Sequence, residues 1–223
     1  MAGRAEELAA LAASVRRLAA LTVTTAADPD LLLSVGRDLD RAAASLEAAV
    51  PDKPIPRFGA PSPEQGVTDM AGLISPETMP FDMVMGLYNP IAPPVTIESD
   101  VDSDPPLAIG RVRFGTVHEG APGCVHGAVL AGVFDIVLTA ANRLSGAAGP
   151  TTRLEFRFRR PTLLASECRF ECWVVSVDER RVTSHGRLIQ DGHVTVEAEG
   201  RFAVFTPDQV RALGRSRMVE RGA

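Results

Sequence analysis

The 223-residue chain has room for one domain with an appendage or for two small domains, and 45% hydrophobic with 23% charged content is the composition of a folded chain rather than a disordered one. A formal charge of −5 lacks the basic excess that neutralises phosphate backbones, which argues against nucleic acid as a partner. Cys124, Cys168 and Cys172 are odd in number and lack zinc-ligand spacing, so neither a disulfide framework nor a metal site is expected, and a reducing cytoplasm is the expected home.

The chain begins with an alanine- and leucine-rich stretch in which Leu8, Leu11, Val15 and Leu18 recur every three or four residues, the period of one helix face. Glu6 and Glu7 precede this apolar stretch and Arg16 and Arg17 interrupt it, so it reads as an amphipathic helix and not as a signal peptide. No apolar run approaches the ~18 residues of a spanning helix, so no membrane crossing is expected. Asp28-Pro29-Asp30 is a second helix start, with Asp28 as N-cap, and Leu32, Val35, Leu39 and Leu46 carry the pattern to Val50-Pro51. Residues 1–50 thus predict a helical hairpin whose apolar stripes bury against each other or against the main domain.

Residues 51–94 are proline-rich with scattered apolar side chains, predicting an irregular connection that hugs the surface, with a helical turn near Phe81 to Leu87. From residue 95 to 206 the grammar is that of short strands: Val95 to Val101, Leu107 to Thr116, the alternating Leu154, Phe156 and Phe158, then Cys168 to Val177, Arg181 to Gln190 and His193 to Phe205. Asp191-Gly192 between the last two is a strong hairpin signal. Residues 207–223 read as a short helix and basic tail.

Between the second and third strands lies one helical stretch, Val125 to Leu144, entered and left through glycine and proline. It is apolar nearly all round, as a buried helix is. Ala128, Ala131, Gly132, Asp135, Thr139 and Asn142 share one small, polar stripe, opposite the bulky Leu130, Val133, Val137 and Leu144. A carboxylate there costs ~3 kcal/mol or more if buried unpaired, so Asp135 needs either a partner such as Thr139, Asn142 or a neighbouring subunit, or a chemical task.

Glu119-Gly120-Ala121-Pro122-Gly123-Cys124-Val125-His126-Gly127-Ala128, with Asp135 nine residues after His126, resembles the hotdog-fold acyl-CoA thioesterases of the phenylacetate-pathway and 4-hydroxybenzoyl-CoA type. Thr151-Thr152-Arg153-Leu154 to Arg159-Arg160-Pro161 is similar to the strand that follows the helix in that family, and the resemblance spans about residues 85 to 205. The chain departs from many relatives at Ala128 and Ile136, and from some at Gly120. The resemblance implies an α+β hotdog fold, an antiparallel sheet wrapped around one long helix, here carrying the N-terminal helical hairpin. It also implies homodimers or dimers of dimers that hydrolyse thioesters of coenzyme A or acyl-carrier protein without a separate cofactor.

Gly127 and Asp135 are eight residues apart, roughly 12 Å along one helix at ~1.5 Å per residue, too far to serve one carbonyl carbon. A site built from Gly127 of one chain and Asp135 of another removes the difficulty. Within it the Gly127 amide, at the positive end of the helix, holds the oxyanion. Asp135 serves as general base or as nucleophile, Thr151 or Thr152 orients the water, and His126 positions the helix start. Gly123, Val125 and Ala128 line the approach. Arg157, Arg159 and Arg160 either meet the phosphates of coenzyme A or form a solvated face paired with Glu167 or Glu171. Cys124 has no matched base and reads as packing. The competing readings are a non-hydrolytic hotdog protein, acyl-binding or hydratase-like, and an assembly module working through the N-terminal helices.

Overall fold

Alternation of core and solvent positions builds a six-stranded antiparallel sheet in this structure, a computed structural model that describes residues 2–52, 74, 76, 78–146 and 149–204. In chain order the elements are α1 (Ala2–Thr24), α2 (Pro29–Glu47), β1 (Thr96–Asp100), β2 (Leu107–Arg113), a single 3₁₀ turn (Thr116–His118), α3 (Gly127–Leu144), β3 (Thr151–Phe158), β4 (Glu167–Val177), β5 (Arg181–Gln190) and β6 (His193–Ala203). The sheet order is β1-β2-β4-β5-β6-β3, so β3 follows the helix in sequence but occupies the far edge. Residues 53–73 and 205–223 lie outside the described residues, and with them the predicted short helix and basic tail.

The sheet curls around α3. Leu130, Val133, Phe134, Val137 and Leu138 of α3 pack on inward-facing Phe170, Val182, Leu188, Val196 and Phe202, all buried. Close approach depends on glycine in the strands. A Cβ on Gly110 would meet Val137 Cγ2 at 2.6 Å, and one on Gly200 would meet Leu138 Cδ1 at 3.1 Å. By length and composition α3 does satisfy the requirement for a spanning helix, which corrects the expectation that no segment would. Its apolar surface has another reason, since eight of its side chains are buried in the body of the protein.

The connection before β1 differs from the expected surface loop. Residues 78–95 form successive turns, with the expected single helical turn closed by Gly86 N donating to Asp82 O at 3.0 Å, and they place Val84, Met85, Ala92 and Val95 in the core. Asp82 Oδ1 accepts from the amides of Val84 (2.8 Å) and Met85 (3.1 Å), which fixes the turn. Val84 lies against the flank of α3 at Gly132, away from the sheet. An irregular segment is therefore a third wall of the core.

Both N-terminal helices form. Asp28 caps α2 by accepting from the Leu31 amide at 2.9 Å, with Pro29 at the first helical position. Their packing departs from expectation. α1 buries Ala12, touches the 3₁₀ turn and bonds Arg16 Nη1 to the Asn89 carbonyl at 2.9 Å. α2 buries no side chain, so its stripe is covered neither by α1 nor by the main domain.

Candidate active site

Two sets of backbone bonds fix the entry to α3. Val125 N donates to Thr162 O and His126 N to His118 O, both at 2.8 Å, tying the entry loop to the 3₁₀ turn and to the β3–β4 connection. Within the loop Gly123, at φ +72°, donates its amide to Glu119 Oε1 at 2.6 Å. The helix then opens with an unusual cap: His126 Nδ1 accepts from the Ala128 amide at 3.0 Å. That bond leaves the proton of a neutral imidazole on Nε2, and it consumes the Ala128 amide. The neighbouring Gly127 amide has no acceptor among the described residues.

Gly127 and His126 line an open cleft of about 740 Å³ together with Glu119, Val125, Arg159 and Arg160. Phe158, 57% exposed, forms a wall, and a Cβ on Gly127 would lie 3.2 Å from its ring. Of the three arginines singled out, Arg159 forks onto Glu197 Oε2 at 2.8 and 2.6 Å, whereas Arg160 donates its amide to Thr195 O at 3.1 Å and its guanidinium has no hydrogen-bonding or ion-pair partner among the described residues. Arg157 is elsewhere, in a groove on the outer face of the sheet with Trp173, His185 and Arg187. Glu167 and Glu171 pair with none of these three: Glu167 meets Arg111, and Glu171 is held between Arg169 and Arg187.

Asp135 sits eight residues into α3, half-buried and outside this cleft. Its Oδ1 accepts from Thr151 Oγ1 at 2.6 Å, while Thr139 donates instead to the Asp135 main-chain carbonyl at 2.7 Å. Asn142 is also diverted, accepting from buried Ser184. Asp135 Oδ2 has no partner among the described residues. Thr152 faces the other way and donates to Arg201 O at 2.9 Å. The two threonines differ because the β3–β6 register shifts between Thr151 and Arg153, a bulge that turns Thr151 toward the helix.

Gly123, Val125 and Ala128 fall around the helix entry, Gly123 and Ala128 engaged through their amides as above and Val125 on the cleft wall. Cys124 also reaches the cleft. Cys168 and Cys172 are buried, and burial pushes the Cys168 thiol up to about 12 and the Cys172 thiol well above its usual value, so both are held protonated. Sequence reasoning missed Phe158 as a cleft wall, because strict alternation assigns it to the core. Its place at the end of an edge strand, two residues before Arg160-Pro161, was the available signal.

The chain as a whole resembles known proteins. The family described as Thioesterase superfamily matches residues 122–197, the stretch from the helix entry to β6. A solved structure described as a thioesterase superfamily protein is 31% identical, with 87% of this chain and 94% of that one covered and a TM-score of 0.73. The chain belongs to the thioesterase superfamily. Zebrafish thioesterase superfamily member 2 is 13% identical over 64% of this chain and 97% of that chain, with a TM-score of 0.48. The PaaI protein of the E. coli phenylacetic acid degradation operon is 13% identical over 45% and 73%, with a TM-score of 0.43. No curated protein matches. Membership of the superfamily supports thioester hydrolysis as the general chemistry, on the hotdog fold described above.

Proposed function

We propose that this thioesterase hydrolyses acyl thioesters of coenzyme A, or of acyl-carrier protein, at a site assembled from two copies of the chain. The observation that carries the reading is the Thr151–Asp135 hydrogen bond. It holds one carboxylate oxygen and leaves Oδ2 free to take a proton from water, while the free Gly127 amide lies roughly 12 Å away at ~1.5 Å per residue along the same helix. One chain thus contributes an oxyanion donor and the other a base. The open edge of β3 favours this pairing. It is eight residues long, hydrogen-bonded to β6 on one side, and ends at the exposed Phe158 of the cleft wall.

In the reaction the thioester oxygen accepts from the Gly127 N–H, whose position at the positive end of α3 favours negative charge. Water attacks the carbonyl carbon as its proton passes to Asp135 Oδ2 of the second chain. The tetrahedral intermediate then collapses: the carbon–sulfur bond breaks, the thiolate recovers the proton from Asp135, and carboxylic acid and thiol leave. His126 sets the helix start through its Nδ1 cap. Arg160, free of carboxylate partners, meets the phosphates of the carrier.

The test is thiol release from a panel of short, long and aromatic acyl-CoA substrates, with native protein beside Asp135→Asn. Native turnover that the variant loses supports the reading, and the panel names the acyl class. A folded native protein that turns over no thioester contradicts it. Single-turnover hydrolysis in ¹⁸O-water separates a base from a nucleophile, since an acyl–Asp135 anhydride opened at the Asp135 carbonyl leaves label in the protein.

A further inference from the structure

The side of α1 that meets the body is made of small residues and one arginine. Ala5 and Ala9 are half-buried, Ala12 is buried and Arg16 is half-buried, and their 4-3-4 spacing puts all four on one narrow face. A face of alanines lets the helix backbone come close, and the element that α1 meets there is the 3₁₀ turn Thr116–His118. Arg16 reaches past the turn. Its Nη1 donates at 2.9 Å to the Asn89 carbonyl, the same oxygen that accepts the Ala92 amide at 3.1 Å. Asn89 also donates its side-chain Nδ2 to Phe81 O at 3.1 Å and so belongs to the turns that carry Val84 and Met85. One helix thus grips two segments that lie outside the sheet.

Both segments end on the first half of α3. The 3₁₀ turn does so through the His118 carbonyl, which accepts the His126 amide at 2.8 Å, and His126 caps the helix directly before Gly127. The chain leaving the turn presses on the same residue, since a Cβ on Gly120 would lie 2.9 Å from His126 Cα. The 78–95 segment meets α3 at Gly132 through Val84, between Gly127 and Asp135. Sheet packing fixes the body of α3 through Leu130 and the residues after it, but the first turn takes its position from these irregular segments. An oxyanion donor works only within 2.7–3.1 Å of the developing charge, and a misplacement of ~1 Å costs on the order of 10²-fold in rate.

We infer that Arg16 is a positioning residue for the Gly127 amide, with α1 as a strap that holds the 3₁₀ turn and the 78–95 segment against the entry of α3. The part given to that amide rests on the function proposed above; the strap itself rests on the contacts of α1.

The full-length protein tests it as native, Arg16→Ala, Arg16→Lys and Ala12→Glu. Arg16→Ala removes the grip on Asn89, and Ala12→Glu lifts α1 off the turn at a second point. Thiol release is measured together with hydrogen exchange of the His126 and Val125 amides by nuclear magnetic resonance. Val125 serves as the internal control because its amide is bonded to Thr162 O, away from the strap. Arg16→Ala and Ala12→Glu should each lower kcat roughly tenfold with less than about a twofold change in KM, and the His126 amide should exchange roughly tenfold faster while Val125 keeps its native rate. Arg16→Lys, which keeps a cationic donor, should recover most of both. Equal acceleration of the two amides marks general loosening and overturns the inference, as does an unchanged His126 rate in both variants. Native turnover that neither variant lowers overturns it too, and leaves the proposed function standing. If the native protein turns over no thioester, the proposed function falls and the exchange rates alone decide the strap: faster exchange confined to His126 upholds it, and equal rates overturn it.

Discussion

The first turn of α3 and its midpoint belong to one rigid element and carry opposite chemistry. At the first turn a free amide sits at the positive end of the helix, in an open cleft that also holds Arg160. At the midpoint a carboxylate is half-buried and held by one hydroxyl from β3. A rigid helix cannot bring these groups together, and on the proposed function each chain would hold two half-sites and not one whole site. In the account above, assembly replaces loop closure as the step that completes the chemistry.

The comparison is broken most completely at the midpoint. Asp135→Asn keeps the shape and the Thr151 bond but removes the base, and it should lower kcat by roughly 10³-fold in a thiol-release assay with little change in KM. At the first turn, Gly127→Val drives a branched side chain into Phe158, already 3.2 Å from a bare Cβ. The displaced amide should reduce kcat by roughly 10²-fold. Thr151→Val, which frees Asp135 without touching its charge, is expected to reduce kcat by roughly tenfold, whereas Thr152→Val, which loses only the bond to the Arg201 carbonyl, should leave kcat nearly unchanged. Arg160→Ala should raise KM about fivefold for coenzyme A esters and not for a thioester without phosphates, and the effect should fade as salt rises.

The smallest expected effect is on stability near the first turn. His118, whose carbonyl holds the His126 amide, has its ring half-buried edge-on to Phe114 with Nδ1 unpartnered, and burial holds its pKa below the usual 6.5. The unfolded chain binds the proton more readily, so this contribution to stability is complete above pH 6.5 and is lost as pH falls from there through the depressed folded value. Thermal unfolding should show Tm falling by a few degrees, ~2–4 °C, across that window, and His118→Phe should remove that part of the dependence.

Much of the fold is legible in the sequence because its strands alternate cleanly. Asp191-Gly192 forms the expected tight turn, with both residues at positive φ, and α3 ends at Leu144 as its exit glycine indicates. Three features are not legible, each for a physical reason. Val84 and Met85 enter the core from a proline-rich segment with no period, so nothing marks them as interior. Thr151 and Thr152 are indistinguishable until a bulge, set by pairing with β6, turns one toward Asp135. The α1 and α2 stripes predict burial, but periodicity does not say whether the covering surface belongs to the same chain. The His126-Gly127 step and Asp135 could be found because their spacing on one helix is local. Their separation, also local, raised the question of a second chain.

The central claim is tested most directly by mixing two inactive variants. Asp135→Asn and Gly127→Val, unfolded together at equal concentration and refolded, should regain about a quarter of the native rate, since half of the random pairs are mixed and each mixed pair rebuilds one intact site of two. Recovery no greater than the sum of the two separate residual rates, from a mixture whose mass shows that the chains have paired, would contradict a site shared between copies.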